Sequence, residues 1–84
     1  MDFPDERAVT MTPAQCRAAR ALINMSQARL SHVAVVPYTS LRDFEFAGAV
    51  TRQADIDAMQ AALERAGIEF IDDIGVKLRK GGKR

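Results

Sequence analysis

The sequence predicts a mainly α fold, a bundle of four or five helices closed by a short C-terminal β-hairpin. Three observations carry that expectation. Helix start and stop signals recur along the first 67 residues, beginning with T-P-A-Q at residues 12–15. Between them, apolar residues recur at the three- and four-residue spacing of an amphipathic helix. After Gly67 the period drops to two, which is a strand pattern.

The elements follow in order. Thr12 is a good N-cap, Pro13 suits the first helical position and Gln15 completes a T-x-x-Q capping box. The helix runs on through CRAARALI, with Cys16, Ala19, Ile23 and Leu22 read as its inward side, and Asn24 with Met25 ends it. Ser26 caps a second helix from Gln27 to Ala34, with Leu30, Ser31 and Ala34 on one face. Val35 and Val36 make a short break. Pro37 opens a third helix that runs to about Phe46, anchored inward by Leu41 and Phe44, and Gly48 stops it. A loop follows, then a fourth helix from about Ala54 to Ala66. Asp55 and Asp57 lie in its first turn, where the dipole favours acids, and Ile56, Met59, Ala62 and Leu63 form its apolar stripe. Ile68, Phe70, Val76 and Leu78 then alternate with Glu69, Lys77 and Arg79, with Asp72 to Gly75 as the turn. A two-stranded hairpin is marginal in water, so it must pack on a helix or pair with another chain.

Composition narrows the classes. Eighty-four residues make one domain, and 48% hydrophobic content suits a folded core, which must be aliphatic because Trp is absent and aromatics are few. A single cysteine, Cys16, cannot form an internal disulfide and fits a reducing cytosol, so a cytoplasmic protein is expected. No stretch is long enough to span a membrane, and the acidic start MDFPDERAV has no apolar core of a signal peptide. Net charge is only +1, but it is unevenly placed: −2 over residues 1–7, +3 over 8–54, −5 over 55–73 and +5 over 74–84. A basic footprint on part of the surface says more about nucleic-acid partners than the overall balance.

The run QARLSHVAVVPYTSLRDF at residues 27–44 has the spacing of a helix-turn-helix, whose second helix can enter the major groove of B-DNA. With TPAQCRAARALINMSQ before it and SLRDFE within it, the chain over residues 11–67 resembles the lambda-repressor/Cro-type (XRE) family of transcriptional regulators. Gln27 stands where the family has Gln at the first motif position, and Ser31 where it wants a small residue. Arg20 and Glu45 stand where it pairs an arginine of the first helix with a glutamate just after the third. The start T-P-A-Q-C-R-A-A-R-A-L, followed later by A-G-I-E-F-I, resembles a short form seen in alphaproteobacterial genomes. Two positions depart from the pattern. Val35 replaces the usual Gly at a turn position that favours φ > 0, and Pro37 stands where a Ser or Thr cap is usual.

The resemblance implies a lambda-repressor-like bundle that binds double-stranded DNA as a homodimer on an inverted repeat, with its own promoter a candidate target. Tyr38, Thr39, Arg42 and Asp43 become candidates for base contacts, and Arg17, Gln27, Arg29, Ser40 and Arg52 for phosphate contacts. Arg20 and Glu45 are expected to form a structural pair, and Ile56, Met59, Phe70 and Leu78 to contribute to a dimer interface. RNA polymerase is a candidate partner through the acidic flank at Asp55 and Asp57. The expected organisation is a disordered arm over residues 1–10, the DNA-binding domain over 11–67, the hairpin over 68–80 and a flexible basic tail over 81–84. The competing class is a protein-interaction module, such as an antitoxin or adaptor, with DNA binding secondary. Catalysis and metal binding are not expected: His32 and Cys16 stand alone, Asp72 and Asp73 read as turn formers, and no cofactor motif occurs.

Overall fold

The computed structural model describes residues 10–46, 48–72 and 74–79. Four helices, α1 (Pro13–Leu22), α2 (Gln27–Ala34), α3 (Tyr38–Phe46) and α4 (Gln53–Arg65), precede strands β1 (Ile68–Ile71) and β2 (Gly75–Leu78). Of the arm expected over residues 1–10, residues 1–9 lie outside the described residues, as do Lys80 and the tail over 81–84.

Local chemistry explains the boundaries. The capping box of α1 forms in full: Gln15 N donates to Thr12 Oγ1 at 3.1 Å, and Thr12 N donates to Gln15 Oε1 at 2.9 Å. Asn24, at φ 54°, lies past the C-cap, where a short polar side chain tolerates the left-handed region. Ser26 caps α2 by accepting from Arg29 N at 3.0 Å. Pro37 stands one residue before α3 rather than inside it, because its carbonyl accepts the first helical bonds, from Ser40 N at 3.0 Å and Leu41 N at 3.2 Å. Arg52 is the N-cap of α4, which begins one residue earlier than expected. Gly67, at φ 107°, ends α4 and turns the chain into β1.

The hairpin is antiparallel, with Ile68 opposite Leu78 and Phe70 opposite Val76. Those four residues share the face turned toward the helices, and burial falls along them from Ile68, which is enclosed, to Leu78, which is exposed. Asp72, at φ 52°, ends β1, and Gly75 belongs to β2 rather than to the turn. The hairpin thus finds its cover within the chain, on α1 and α4. It is part of the same core as the helices, because Ile68 belongs to one buried apolar cluster with Leu30, Leu41, Met59 and Leu63.

Two buried amides tie distant segments together. Gln15, inside the core, donates from Nε2 to the carbonyls of Asp72 at 3.0 Å and Gly75 at 2.9 Å, pinning the hairpin turn to the first turn of α1. Gln60 of α4 accepts from Met11 N at 3.1 Å, which fixes the chain just before α1. One inward assignment on α1 needs correction: Leu22 is 46% exposed, turned off the packed side, whereas Ile23 is half-buried and packs against the core. Met59 is fully enclosed, because α2 and the start of β1 pack over that side of α4; it presents no surface to a second chain. Among the described residues, no helix is long and apolar enough to cross a membrane.

Candidate nucleic-acid interface

The centre of the site is a buried carboxylate at the end of α3. The Glu45 side chain has no exposed surface, while that of Arg20 on α1 is 16% exposed. The two form a bidentate pair: Arg20 Nη2 donates to Glu45 Oε1 at 2.7 Å and Arg20 Nε to Oε2 at 2.8 Å. The remaining guanidinium nitrogen, Nη1, donates to the Met25 carbonyl at 3.0 Å, so the arginine also closes the loop between α1 and α2. Gln27 Nε2 adds a bond to Glu45 Oε1 at 2.9 Å, and the buried Cys16 thiol lies close to the same carboxylate. Arg17 Nη1 donates to the Glu45 backbone carbonyl, with its guanidinium 5.4 Å from the centre of the Phe46 ring. Burial by itself would push the Glu45 carboxyl up. The hydrogen bonds from Arg20 and Gln27, the nearby Cys16 thiol and the arginine charge outweigh it and hold the carboxyl below the usual glutamate range. Burial, reinforced by that same carboxylate, pushes the Cys16 thiol up and keeps it neutral.

The expected structural pair is therefore present, with Glu45 inside α3 rather than after it. Its effect is positional. The C-terminal half of α3 is held by side chains from α1 and α2, while Leu41 and Phe44 fill the core beneath it. The opposite side of α3 is left to solvent. Tyr38, Thr39 and Arg42 are exposed there, with Ser40 and Asp43 half-buried beside them. Arg42 lies along Asp43, its Nη2 3.2 Å from Oδ1. Both are substantially exposed, so the pair adds little stability, but it restricts where the guanidinium points.

The turn that sets the direction of α3 is strained. Val35 has φ 57° and ψ 52°, the left-handed conformation expected at that position, and its side chain is 87% exposed. Val36 then returns to the core. On the other flank, a cleft of about 210 Å³ separates α3 from the loop leading to α4. Thr39, Ser40 and Asp43 line one side, and Val50, Thr51, Arg52 and Asp55 the other.

The structure sorts the expected contact residues into two groups. Thr39, Ser40, Asp43 and Arg52 line the cleft together, and Tyr38 and Arg42 are exposed on α3 outside it. Arg29 is exposed on α2. Arg17 and Gln27 differ from expectation: their side chains turn inward to Glu45 and are committed to holding α3. Asp55 pairs with Arg52 at 3.3 Å and Asp57 accepts from Gln53 at 2.8 Å, so the acidic flank is partly neutralised locally. Sequence reasoning missed the roles of Cys16, Arg17 and Gln27 around Glu45. The signal for two of them was present, since Cys16 and Arg17 stand four and three residues before Arg20 and so share its side of α1. Among the described residues, no cluster of side chains has the makings of a metal site.

No protein-family model matches this chain, and no curated protein matches it in sequence.

Proposed function

We propose that residues 27–46 form a helix-turn-helix and that the protein is a sequence-specific DNA-binding transcriptional regulator of the lambda-repressor/Cro type, acting as a homodimer on an inverted repeat. The observation that carries this reading is α3 itself. Its base is fixed by a buried ion pair and an apolar face, while its opposite, polar side is open to solvent. A helix about 10–12 Å across fits the B-DNA major groove, about 12 Å wide. Arg42, steered by Asp43, suits guanine O6 and N7, and Thr39 suits a thymine methyl or a phosphate. Arg29, exposed on α2, and Arg52, exposed at the N-terminus of α4 with that helix dipole beside it, suit phosphate contacts.

A module this small buries too little DNA for tight binding alone, and two copies would place their reading helices one turn apart, about 34 Å. Ile56, half-buried on α4, and Leu78, exposed on β2, remain candidates for the contact between copies, with Phe70 behind them and Met59 removed. Repression would follow from occupying a promoter.

The test is selection of bound duplexes from a random pool, followed by titration across salt concentrations. The expected result is an enriched inverted repeat whose affinity falls with salt. Arg42→Ala should then weaken the enriched site by about 1–3 kcal/mol and relax one base pair. Failure to enrich any sequence would reject the reading.

A further inference from the structure

The hydrogen-bond network that holds α3 also fixes the direction of one exposed proton. Glu45 carries a carboxylate, which can only accept. Gln27 lies with its side-chain nitrogen 2.9 Å from Glu45 Oε1, so its amide must turn NH2 toward the carboxylate and its oxygen the other way. That oxygen, Gln27 Oε1, lies 3.3 Å from the hydroxyl of Tyr38, the first residue of α3. An amide oxygen cannot donate, so the phenol must. The single Tyr38 proton therefore points back at the protein, and the lone pairs of its oxygen are what a ligand meets. The bond is long for a hydroxyl donor, and its strength is small. Its consequence is directional: for the phenol to donate outward, it must give up its bond to an amide oxygen whose orientation Glu45 dictates.

On the reading that α3 enters a major groove, we infer that Tyr38 is an acceptor-only reader of sequence. It takes a hydrogen bond from the exocyclic amino group of adenine or cytosine, and it does not donate to phosphate, guanine O6 or a purine N7. Gln27 is its positioning residue. The choice discriminates among base pairs because each of the four arrangements places its amino group differently across the groove. An acceptor held at one point therefore matches one arrangement. Arg42, a donor on the same side of α3, reads the complementary acceptors, so the helix presents both halves of a hydrogen-bond code.

The test starts from the site enriched by the wild-type protein. If no site is enriched, the DNA-binding reading itself fails, before Tyr38 is tested. With a site in hand, Tyr38→Phe removes one exposed hydroxyl without altering the fold. It should lower affinity about three- to tenfold, the size of one net hydrogen bond, at a single base pair. The base there is then replaced by an analogue lacking the amino group, purine for adenine or 2-pyrimidinone for cytosine. The wild type should lose the same factor and Tyr38→Phe nothing more. In Gln27→Met, where the phenol proton is released, this dependence on the amino group should shrink. Three results would overturn the inference. Tyr38→Phe could weaken all duplexes equally and flatten the salt dependence, which marks a phosphate contact. Its effect could instead persist on amino-less bases and vanish on 7-deazapurines, which marks a donor. It could also have no effect at any position. An undiminished amino dependence in Gln27→Met would remove the positioning role.

Discussion

Replacing Val35 with glycine should stabilise this protein, an unusual outcome for shortening a side chain. Val35 occupies the left-handed region, φ 57° and ψ 52°, between α2 and α3. That conformation costs an L-residue about 1–2 kcal/mol, and a β-branched residue lies toward the upper end. Nothing in the fold offsets the cost, since the side chain is 87% exposed and its removal uncovers almost no buried surface. The backbone bonds of the turn do not depend on it: Val35 N donates to the His32 carbonyl at 3.2 Å and Val36 N to the Ser31 carbonyl at 3.0 Å. Glycine gives back about 0.4–1 kcal/mol through the larger entropy of the unfolded chain. The balance is a gain of about 0.5–1 kcal/mol, or a rise in Tm of roughly 2–8 °C for a domain of this size. Thermal unfolding followed by circular dichroism measures it, with Val35→Ala as the control that keeps Cβ and therefore most of the strain. The expected order is glycine above alanine and wild type. A Tm for Val35→Gly below that of the wild type would refute the strained-turn argument.

Two further outcomes follow from the Glu45 network. Arg20→Ala leaves an enclosed carboxylate without its counter-ion and should cost about 3–5 kcal/mol in urea unfolding; an unchanged midpoint would show that the bridge between α1 and α3 contributes nothing. The Glu45 carboxyl is held below its unfolded value, about 4.3, so its contribution is complete above that pH and is lost as the pH falls through the lower, folded value. Urea unfolding of wild type and Glu45→Gln between pH 6 and 3 should show this acid-dependent component in the wild type alone, and parallel curves would count against it.

What could be read from the chain and what could not divide along a physical line. The caps at Thr12, Gln15, Ser26 and Gly67 were legible because each acts within four residues of itself, where composition and spacing carry the whole argument. The positive φ of Val35 was legible only because the surrounding positions imply a turn that needs it. The second role of Gln15, bonding Asp72 and Gly75, was not legible: those carbonyls lie 57 and 60 residues away, and an amide in a capping box gives no sign of where its other end points. Gln27 was misplaced for the same reason, since a polar residue at the start of a helix looks alike whether it faces a phosphate or a carboxylate 18 residues on. Met59 shows the limit of periodicity. A helical stripe identifies the apolar side of α4, but how deeply each residue sits depends on which elements arrive later in the chain to cover it.

The helix that organises the molecule is α1, although the proposed chemistry lies on α3. Ten residues long, α1 would barely hold together alone, and tertiary contacts must stabilise it. Those contacts are unevenly distributed. From its first turn Gln15 holds the hairpin turn, and from further along Arg17 and Arg20 hold the end of α3. The hairpin and the exposed helix are thus linked through one short, rigid segment by hydrogen bonds rather than by apolar contact alone. Hydrogen bonds fix direction where apolar contacts tolerate sliding. In a dimer whose contact is made through Leu78 of the hairpin, one of the proposed candidates, the distance between the two α3 helices would be set by this link and not by the flexibility of a loop. The spacing of the DNA half-sites would then be a property of α1, and a substitution at Gln15 would alter it without touching either the DNA or the partner.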